Sequence, residues 1–227
     1  MGILSRPELP IIMKKESKIL ITCALIVSGL VTASCNDSVP DKSTFKPIPE
    51  GTALETLTLA AGCFWCVEEI YEHVPGVSEA VSGYSGGKEQ FPTYNNVAAG
   101  RTSHTEAVEI MYDPNTVNLD HLLNIYWKSF DPTNGRGVAP DFGRQYRPVL
   151  FYRTEEEKQI MEASKQALAL ELKEDIAVEI VPFEKFWKAE DYHQDYAENN
   201  PGNFYIKSIS IPRMKRTFKK LAAENKS

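Results

Sequence analysis

The sequence has 227 residues, of which 42% are hydrophobic, so it can bury one sizeable core in one or two domains. A formal net charge of −6, with only short basic clusters, argues against a nucleic-acid-binding protein. Four cysteines, Cys23, Cys35, Cys63 and Cys66, are too few for a small fold held together by disulfides.

The N-terminal segment has the pattern of an export signal. A short basic stretch precedes an almost wholly apolar run over residues 19–31, and small residues then precede Cys35. This order is that of a secretory signal, and the run is shorter than the ~20 residues of a membrane span. A cysteine after small residues resembles a bacterial lipoprotein signal, although Thr32 stands where an aliphatic residue is usual. We therefore expect a signal peptide over residues 1–35, with Met13 as an alternative start. Cys35 would then be lipidated and the protein anchored in the cell envelope, an ordinary secreted signal being the alternative.

The segment after the signal is polar and rich in proline, which predicts a flexible tether over residues 36–51. A single domain over residues 52–227 follows, and it begins with a predicted strand at 56–60. Apolar residues at helical spacing predict a helix from about Cys63 to the Pro-Gly pair at 75–76.

Further strands and loops follow along the domain. Apolar runs predict strands over 107–112, 148–152 and 176–181. Residues 82–96 and 131–147 are rich in glycine and proline, and they predict two long loops.

The remaining helices are predicted from caps and periodicity. Asp120 can cap one helix, and Thr154 opens another with capping-box chemistry, which continues to about residue 174. Helical segments are also expected near 190–198 and 214–224. Strands alternate with helices, but the long loops do not fit a doubly wound sheet, so we predict one mixed α/β domain of the α+β class.

Cys63 and Cys66 lie where the first strand becomes a helix. The unpaired N–H groups and the dipole of a helix N-terminus favour a thiolate at Cys63. Cys66 lies one turn further on the same side, close enough for a disulfide. Cys63 could therefore attack a substrate and Cys66 could resolve the product, the alternative being two cysteines that only pack in the core. A closed zinc site is disfavoured because no second Cys-x-x-Cys pair and no paired histidines are present.

A series of motifs resembles the peptide methionine sulfoxide reductase A family. Together the motifs cover about residues 55–212, whereas any one of them alone would be weak. They are Gly-Cys-Phe-Trp at 62–65, Pro-Gly-Val at 75–77, Gly-Tyr-Ser-Gly-Gly at 83–87, Pro-Thr-Tyr at 92–94, His-Thr-Glu-Ala-Val at 104–108, Tyr-Asp-Pro at 112–114, Asp-Pro-Thr at 131–133, Asp-x-Gly-x-Gln-Tyr-Arg at 141–147 and Glu-Asp-Tyr-His-Gln at 190–194. The resemblance implies a two-layer sandwich of ferredoxin-like type. It also implies reduction of the S-epimer of methionine sulfoxide in oxidised proteins and peptides.

The resemblance also implies roles for the residues around the first cysteine. Cys63 is expected to attack the sulfoxide sulfur, and Phe64 and Trp65 to form an apolar wall for the substrate's methyl group. Glu106 is expected to protonate the leaving oxygen, which near neutral pH requires a raised pKa. Without the resemblance, Phe64 and Trp65 would be read as core residues and Glu106 as a solvated carboxylate.

Three further residues match positions around the family's substrate. Tyr94 and Tyr146 are expected to hydrogen-bond the sulfoxide oxygen, and Asp141 to help orient the site or the substrate. His193 lies in a family motif, but we expect a structural role for it first.

The resolving thiol is where this sequence departs from many family members. Those members have glycine after the tryptophan and resolving cysteines near the C-terminus, whereas this sequence has Cys66 at that glycine and no later cysteine. We infer that Cys66 resolves the sulfenic acid on Cys63 and that thioredoxin or a thioredoxin-like protein reduces the disulfide. The alternative is direct attack by an external thiol. We expect neither a cofactor nor a metal. We expect the protein to be a monomer.

Two other classes compete with this interpretation. A thioredoxin-type disulfide oxidoreductase would explain a Cys-x-x-Cys pair after a strand, but not Glu106 and the tyrosine loops. A non-catalytic binding module that has kept the fold is disfavoured because both Cys63 and Glu106 are present.

Overall fold

One mixed sheet is the centre of the fold. A computed structural model describes residues 39–224 of the chain. Their strands are β1 (Glu55–Ala60), β2 (Val77–Ser85), β3 (Thr105–Tyr112), β4 (Gly137–Val138), β5 (Asp141–Phe142), β6 (Val149–Tyr152), β7 (Glu179–Pro182) and β8 (Phe186–Lys188). Six of them form a sheet in the order β7-β6-β1-β3-β2-β8, in which β6 and β7 pair parallel and every other pair is antiparallel. Strands β4 and β5 form a separate two-stranded sheet.

The helices complete a ferredoxin-like arrangement. They are α1 (Phe64–Glu72), α2 (Tyr94–Ala98), α3 (Leu119–Lys128), α4 (Glu155–Leu172), α5 (Tyr196–Asn199) and α6 (Ile211–Glu224). Helix α1 joins β1 to β2, and α3 lies between β3 and β6. The inner strand order β6-β1-β3-β2 with a β-α-β-β-α-β chain order is that of a ferredoxin-like sandwich. The predicted α+β class and two-layer architecture are confirmed.

Alternation along the strands builds the core. In β1, Leu57 and Leu59 point towards the helices, where they join one large cluster with buried residues of α1, α3, α4 and α6. On the opposite face, Ala60 and Phe151 belong to a smaller cluster that Phe183 and Phe186 cover. The central strands are therefore buried on both faces, and groups at the end of β1 and on β3 are held rigidly.

Residues 82–96 are not one long loop, as predicted, because β2 continues to Ser85 and α2 begins at Tyr94. Small residues hid the strand. Ser82 and Ser85 are fully buried, and a Cβ on Gly83 would lie 2.3 Å from the Phe186 ring of the neighbouring strand. Gly83 thus marks a close approach of β8, which the sequence interpretation missed.

Details of the caps and of the second loop also differ from prediction. Asn118, not Asp120, caps α3, and its side chain accepts a hydrogen bond from His121 N at 2.9 Å. Thr154 caps α4 as predicted, since its hydroxyl accepts from Glu157 N at 3.1 Å. The predicted loop over 131–147 contains β4, β5 and a 3₁₀ turn at its end. The last predicted helix begins at Ile211 rather than 214.

The predicted signal over residues 1–35, including Cys35, lies outside the described residues. The described part of the predicted tether contacts the domain. Val39 packs against the main core, and the Lys42 ammonium forms ion pairs with Glu72, at 3.2 Å, and with Glu198. The flexibility of the tether stays a prediction. Between residues 39 and 224, no helix combines the length and apolar character that a membrane span needs.

Candidate active site

Cys63 lies at the bend between β1 and α1. Gly62 makes the bend with a φ of +76°, and a Cβ there would lie 2.7 Å from the Val138 Cβ, so both conformation and space require glycine. Cys63 is the N-cap of α1 and is 6% exposed. The predicted position of Cys63 at the helix N-terminus is confirmed, but its side chain accepts no capping hydrogen bond and burial raises the pKa of its thiol, so the predicted preference for a Cys63 thiolate is not seen.

Glu106 on β3 reaches the same helix end. Its Oε2 accepts a hydrogen bond from Phe64 N at 3.0 Å, and the residue is 2% exposed. Burial raises the pKa of Glu106 to about 8, the negative charges of Asp141 and Cys66 add to the increase, and the bond from Phe64 N opposes it. Glu106 is consequently a carboxylic acid at neutral pH. Its hydrogen-bond partner, Phe64, is the residue that follows Cys63.

Cys66 follows one turn after Cys63 and is buried. Both cysteines are free thiols, and Cys66 N donates to Cys63 O at 3.2 Å. A hydrogen bond from Cys63 lowers the pKa of the Cys66 thiol, and the positive charge of Arg213 lowers it further, while burial raises the pKa of the Cys63 thiol. The S–H of Cys63 therefore stabilises a thiolate on Cys66, and that thiolate in turn raises the pKa of Cys63, so the two thiols titrate as a coupled pair.

Phe64 is the centre of an aromatic cluster beside the thiols. It is 1% exposed, and its ring centroid lies 6.3 Å from Tyr94 and 5.0 Å from His193. Glu190 positions this wall, because its carboxylate accepts from Tyr94 N at 3.0 Å and from Tyr84 Oη at 2.8 Å. The cluster gives the site an apolar side next to Cys63.

Trp65 extends the cluster on its other side. Its indole N–H donates to His193 Nδ1 at 3.2 Å, and its ring stacks on Tyr196 with centroids 4.0 Å apart. Because His193 Nδ1 accepts this bond, Nε2 carries the proton of the neutral ring, and burial lowers the pKa of His193. His193 therefore holds Trp65 and packs against Phe64, in agreement with the structural role expected for it.

Tyr94 and Tyr146 present two hydroxyl groups to the site. Neither hydroxyl forms a hydrogen bond with any residue in the described range 39–224. Burial raises the pKa of Tyr94 to about 12, and the nearby charges of Glu106 and Cys63 contribute to the increase. Burial, followed by Glu106, also raises the pKa of Tyr146. Both phenols are thus protonated donors that face the Cys63 and Glu106 region.

Tyr205 belongs to the site although the sequence interpretation missed it. Its hydroxyl donates a hydrogen bond to the Asp141 carboxylate and lies 3.8 Å from Cys66 Sγ. Tyr205 comes from the segment before α6, and no motif quoted above includes it. The only sequence signal is its place two residues after a Pro-Gly-Asn turn that follows the His193 motif. Tyr205 connects Asp141 with Cys66.

The site has the chemistry of a thiol-dependent oxidoreductase. A thiol pair, a protonated carboxyl group and free phenol donors converge beside an aromatic wall. Among residues 39–224, no cluster of three or more histidine, cysteine, aspartate or glutamate side chains has the geometry of a metal site. The ferredoxin-like sheet also differs from what a thioredoxin-type oxidoreductase would require, so that alternative is not favoured.

Residues 55–226 match the family model described as peptide methionine sulfoxide reductase. The chain belongs to the peptide methionine sulfoxide reductase family. The predicted family and oxidoreductase class are confirmed.

Relatives and solved structures agree with this membership. Peptide methionine sulfoxide reductase MsrA 2 of Staphylococcus aureus strain Mu50 is 44% identical over 153 residues, which are 66% of this chain and 86% of the relative. MsrA of Listeria innocua serovar 6a is 44% identical over 154 residues, covering 67% and 87% of the two chains. Reduced Mxr1 from Saccharomyces cerevisiae superposes with a TM-score of 0.64 at 30% identity, covering 71% of this chain and 92% of Mxr1. Methionine sulfoxide reductase A of Corynebacterium diphtheriae superposes with a TM-score of 0.61 at 30% identity, with coverages of 73% and 90%.

The buried acid predicts a pH-dependent stability difference between the wild type and Glu106→Gln. Between an unfolded pKa of ~4.3 and the folded value of about 8, only the folded state keeps the proton, so the wild type loses stability as pH rises. The free energy of unfolding of Glu106→Gln, relative to that of the wild type, should rise by on the order of 3 kcal/mol between pH 5 and pH 8. Above pH 8 the difference should stay constant. Urea denaturation at a series of pH values measures the difference. A constant difference between pH 5 and pH 8 would contradict the raised pKa.

Proposed function

We propose that this chain reduces the S-epimer of methionine sulfoxide in proteins and peptides, and in the free amino acid, to methionine. The observation that carries the proposal is the hydrogen bond between the Glu106 carboxyl and Phe64 N at 3.0 Å. This bond holds a protonated acid at the helix end that carries the Cys63 thiol. The names of the Staphylococcus and Listeria relatives support the same reaction.

Cys63 and Glu106 divide the first step between them. The Cys63 thiolate attacks the sulfoxide sulfur, and Glu106 gives its proton to the oxygen, which is a poor leaving group until it is protonated. The S–O bond breaks, an oxygen from the released hydroxide or water bonds to Cys63 Sγ, and the bond between the two sulfurs breaks as methionine leaves with its electron pair. The methionine sulfur is thereby reduced by two electrons, and Cys63 is oxidised by two electrons to a sulfenic acid. Because the acid is buried against aromatic rings, it keeps the required proton at neutral pH.

The surrounding residues orient the substrate. Tyr94 and Tyr146 donate to the sulfoxide oxygen, where negative charge develops, and Asp141, held by Tyr205, keeps that side of the site polar. Phe64 and Trp65 receive the methyl group on the apolar side. The opposite epimer would exchange the oxygen and the lone pair at sulfur and lose the donors, which is why one epimer is preferred.

Cys66 closes the cycle in this proposal. Its thiol attacks the sulfenic acid, releases water and forms a disulfide with Cys63, its neighbour one helical turn away. A thioredoxin-like dithiol then supplies two electrons, attacking Cys63, whose exposed fraction of 6% exceeds the 1% of Cys66. The reaction as proposed draws its electrons from thiols alone and needs no prosthetic group.

We also propose that the protein is exported as a monomeric lipoprotein of the cell envelope. The support is the sequence pattern over residues 1–35, which ends in Cys35 after small residues. Thioredoxin of the cytoplasm cannot reach an exported site, so the electrons must come from a donor that is recharged across the membrane.

The reaction predicts stereospecific turnover. With dithiothreitol as reductant, the purified chain should consume only the S-epimer of a methionine sulfoxide peptide. Chiral chromatography measures the loss of each epimer. Cys63→Ser should abolish turnover because the nucleophile is lost. Glu106→Gln should slow methionine release about 10²- to 10³-fold because the proton donor is lost. Consumption of neither epimer would refute the proposed reaction.

The resolving role of Cys66 predicts a separation of half-reactions. Cys66→Ser should release one methionine per protein at the wild-type rate and then stop with thioredoxin as reductant, because no disulfide forms. Rapid-mixing experiments with quantified methionine and free thiols measure both steps. Unchanged thioredoxin-driven turnover in Cys66→Ser would instead assign recycling to an external thiol.

The lipid anchor predicts a change of fractionation. The full chain expressed in a bacterium should enter the membrane fraction, and mass spectrometry should find a diacylglyceryl group on Cys35. Cys35→Ser should leave the membrane fraction, whereas the matched variant Cys23→Ser should remain there. Equal partitioning of the two variants would contradict lipidation at Cys35.

A further inference from the structure

A cavity lined by three arginines lies along the loop that carries two of the site residues. It has a volume of about 710 Å³, and Arg136, Arg144 and Arg147 line it together with Phe142. Its other lining residues are Asn134 and two glycines, so no carboxylate among the described residues lines it. Three arginines around one cavity stand out in a chain with a net charge of −6. We call this feature the arginine cavity.

The three arginines are not equivalent. Arg147 is fixed, because its guanidinium donates to Arg144 O at 2.7 Å and to Gly86 O at 3.3 Å and pairs with Glu179 at 3.5 Å. The guanidinium groups of Arg136 and Arg144 form no hydrogen bond or ion pair with residues 39–224, and both residues are exposed. Two cations are therefore available to a ligand, and the third holds the cavity wall.

The residues that line the arginine cavity are close neighbours, along the same loop, of two residues of the substrate site. Phe142 follows Asp141 in β5. Arg144 is two residues before Tyr146, so the Cα atoms of Arg144 and Tyr146 are at most ~7 Å apart. The loop is also tied to the strand of the acid, because the Thr105 hydroxyl is within 3.1 Å of Gln145 O and 3.2 Å of Arg147 O. The position of the cavity relative to Glu106 is thus fixed by the fold.

The dimensions suit a side chain of the substrate itself. An extended polypeptide advances ~3.3 Å per residue, so a residue one to three positions from the reacting methionine reaches the distance that separates Arg144 from Tyr146. Guanidinium groups pair well with carboxylates, and the half-exposed Phe142 ring provides an apolar surface for the methylene groups of glutamate.

We propose that the arginine cavity is a substrate subsite that binds an acidic side chain close to the oxidised methionine. The enzyme then prefers methionine sulfoxide in acidic polypeptide segments. This inference rests on the proposed function, since it assigns a sequence preference to that reaction.

Three peptides of equal length test the preference. Each carries one methionine S-sulfoxide flanked on both sides by glutamate, glutamine or lysine, and dithiothreitol is the reductant. At low ionic strength the full chain should show kcat/KM in the order glutamate, glutamine, lysine, with steps of about fivefold, as exposed ion pairs allow. The steps should shrink as salt is added, because screening weakens exposed charge pairs.

Variants locate the preference. In the double variant Arg136→Gln, Arg144→Gln, the ratio of kcat/KM for the glutamate and glutamine peptides should fall from about five to about one. Arg216→Gln, an exposed arginine of α6 outside the cavity, makes the same chemical change and should keep the wild-type ratio. Arg147 is left intact because it holds the loop.

Several results would overturn the inference. The wild type could turn over all three peptides equally, or the double variant could keep the ratio or lose activity on all three peptides alike. If the double variant changed only the KM for thioredoxin in a parallel assay, the arginines would serve the reductant instead. Absence of turnover with every peptide would refute the proposed function together with the subsite.

Discussion

The hydrogen bond from Phe64 N to the Glu106 carboxyl is the interaction on which the rest of the site depends. Among residues 39–224 it is the one hydrogen bond of the buried Glu106 side chain. It also satisfies a backbone N–H that has no partner within the first turn of α1. A buried carboxyl with a single donor keeps its proton, whereas several donors would have favoured its charged form. The same bond fixes the distance between the acid and the residue that follows Cys63.

The fold supplies the two rigid supports for this bond. Glu106 lies on β3, which is paired on both sides by β1 and β2, and Cys63 follows β1 after a bend that only glycine fits at position 62. Because β1 and β3 are neighbours, a residue after the end of one lies close to a residue near the start of the other. The loop with Asp141 and Tyr146 is then attached through Thr105, the residue before the acid. The strands β1 and β3 therefore position each of these parts of the site.

The sequence predicted those parts whose signals are local. The strand at β1, the helix start at Cys63 and the inward alternation of β3 follow from periodicity and small residues. Ser82 and Gly83 were misread because small polar residues inside a strand look like a loop until a neighbouring strand, here β8, covers them. Tyr205 and the arginine cavity could not be predicted, since a tyrosine at the start of a helical segment becomes a site residue only when the chain returns to α1. The arginines likewise form a cavity only through the course of the 134–147 loop. Glu106 was predicted as the acid only from the family motif at 104–108, because a single glutamate in a strand has no sequence signal that shows its burial.

The ionisation order in this site is the reverse of the order in water. A free carboxyl loses its proton near pH 4.3 and a free thiol near 8.5. Here burial raises the pKa of Glu106 to about 8, while the hydrogen bond from Cys63, followed by the charge of Arg213, lowers the pKa of Cys66 to about 6. Between these values the site holds one negative charge on the thiol pair and one proton on the acid. The negative charge of Cys66 itself helps to raise the pKa of Glu106, so deprotonation of the thiols strengthens the hold of the acid on its proton. A thiolate in the pair and a proton on the acid can therefore coexist near neutral pH, because the S–H of Cys63 and the charge of Arg213 stabilise the thiolate of Cys66, whereas burial disfavours a charge on Glu106.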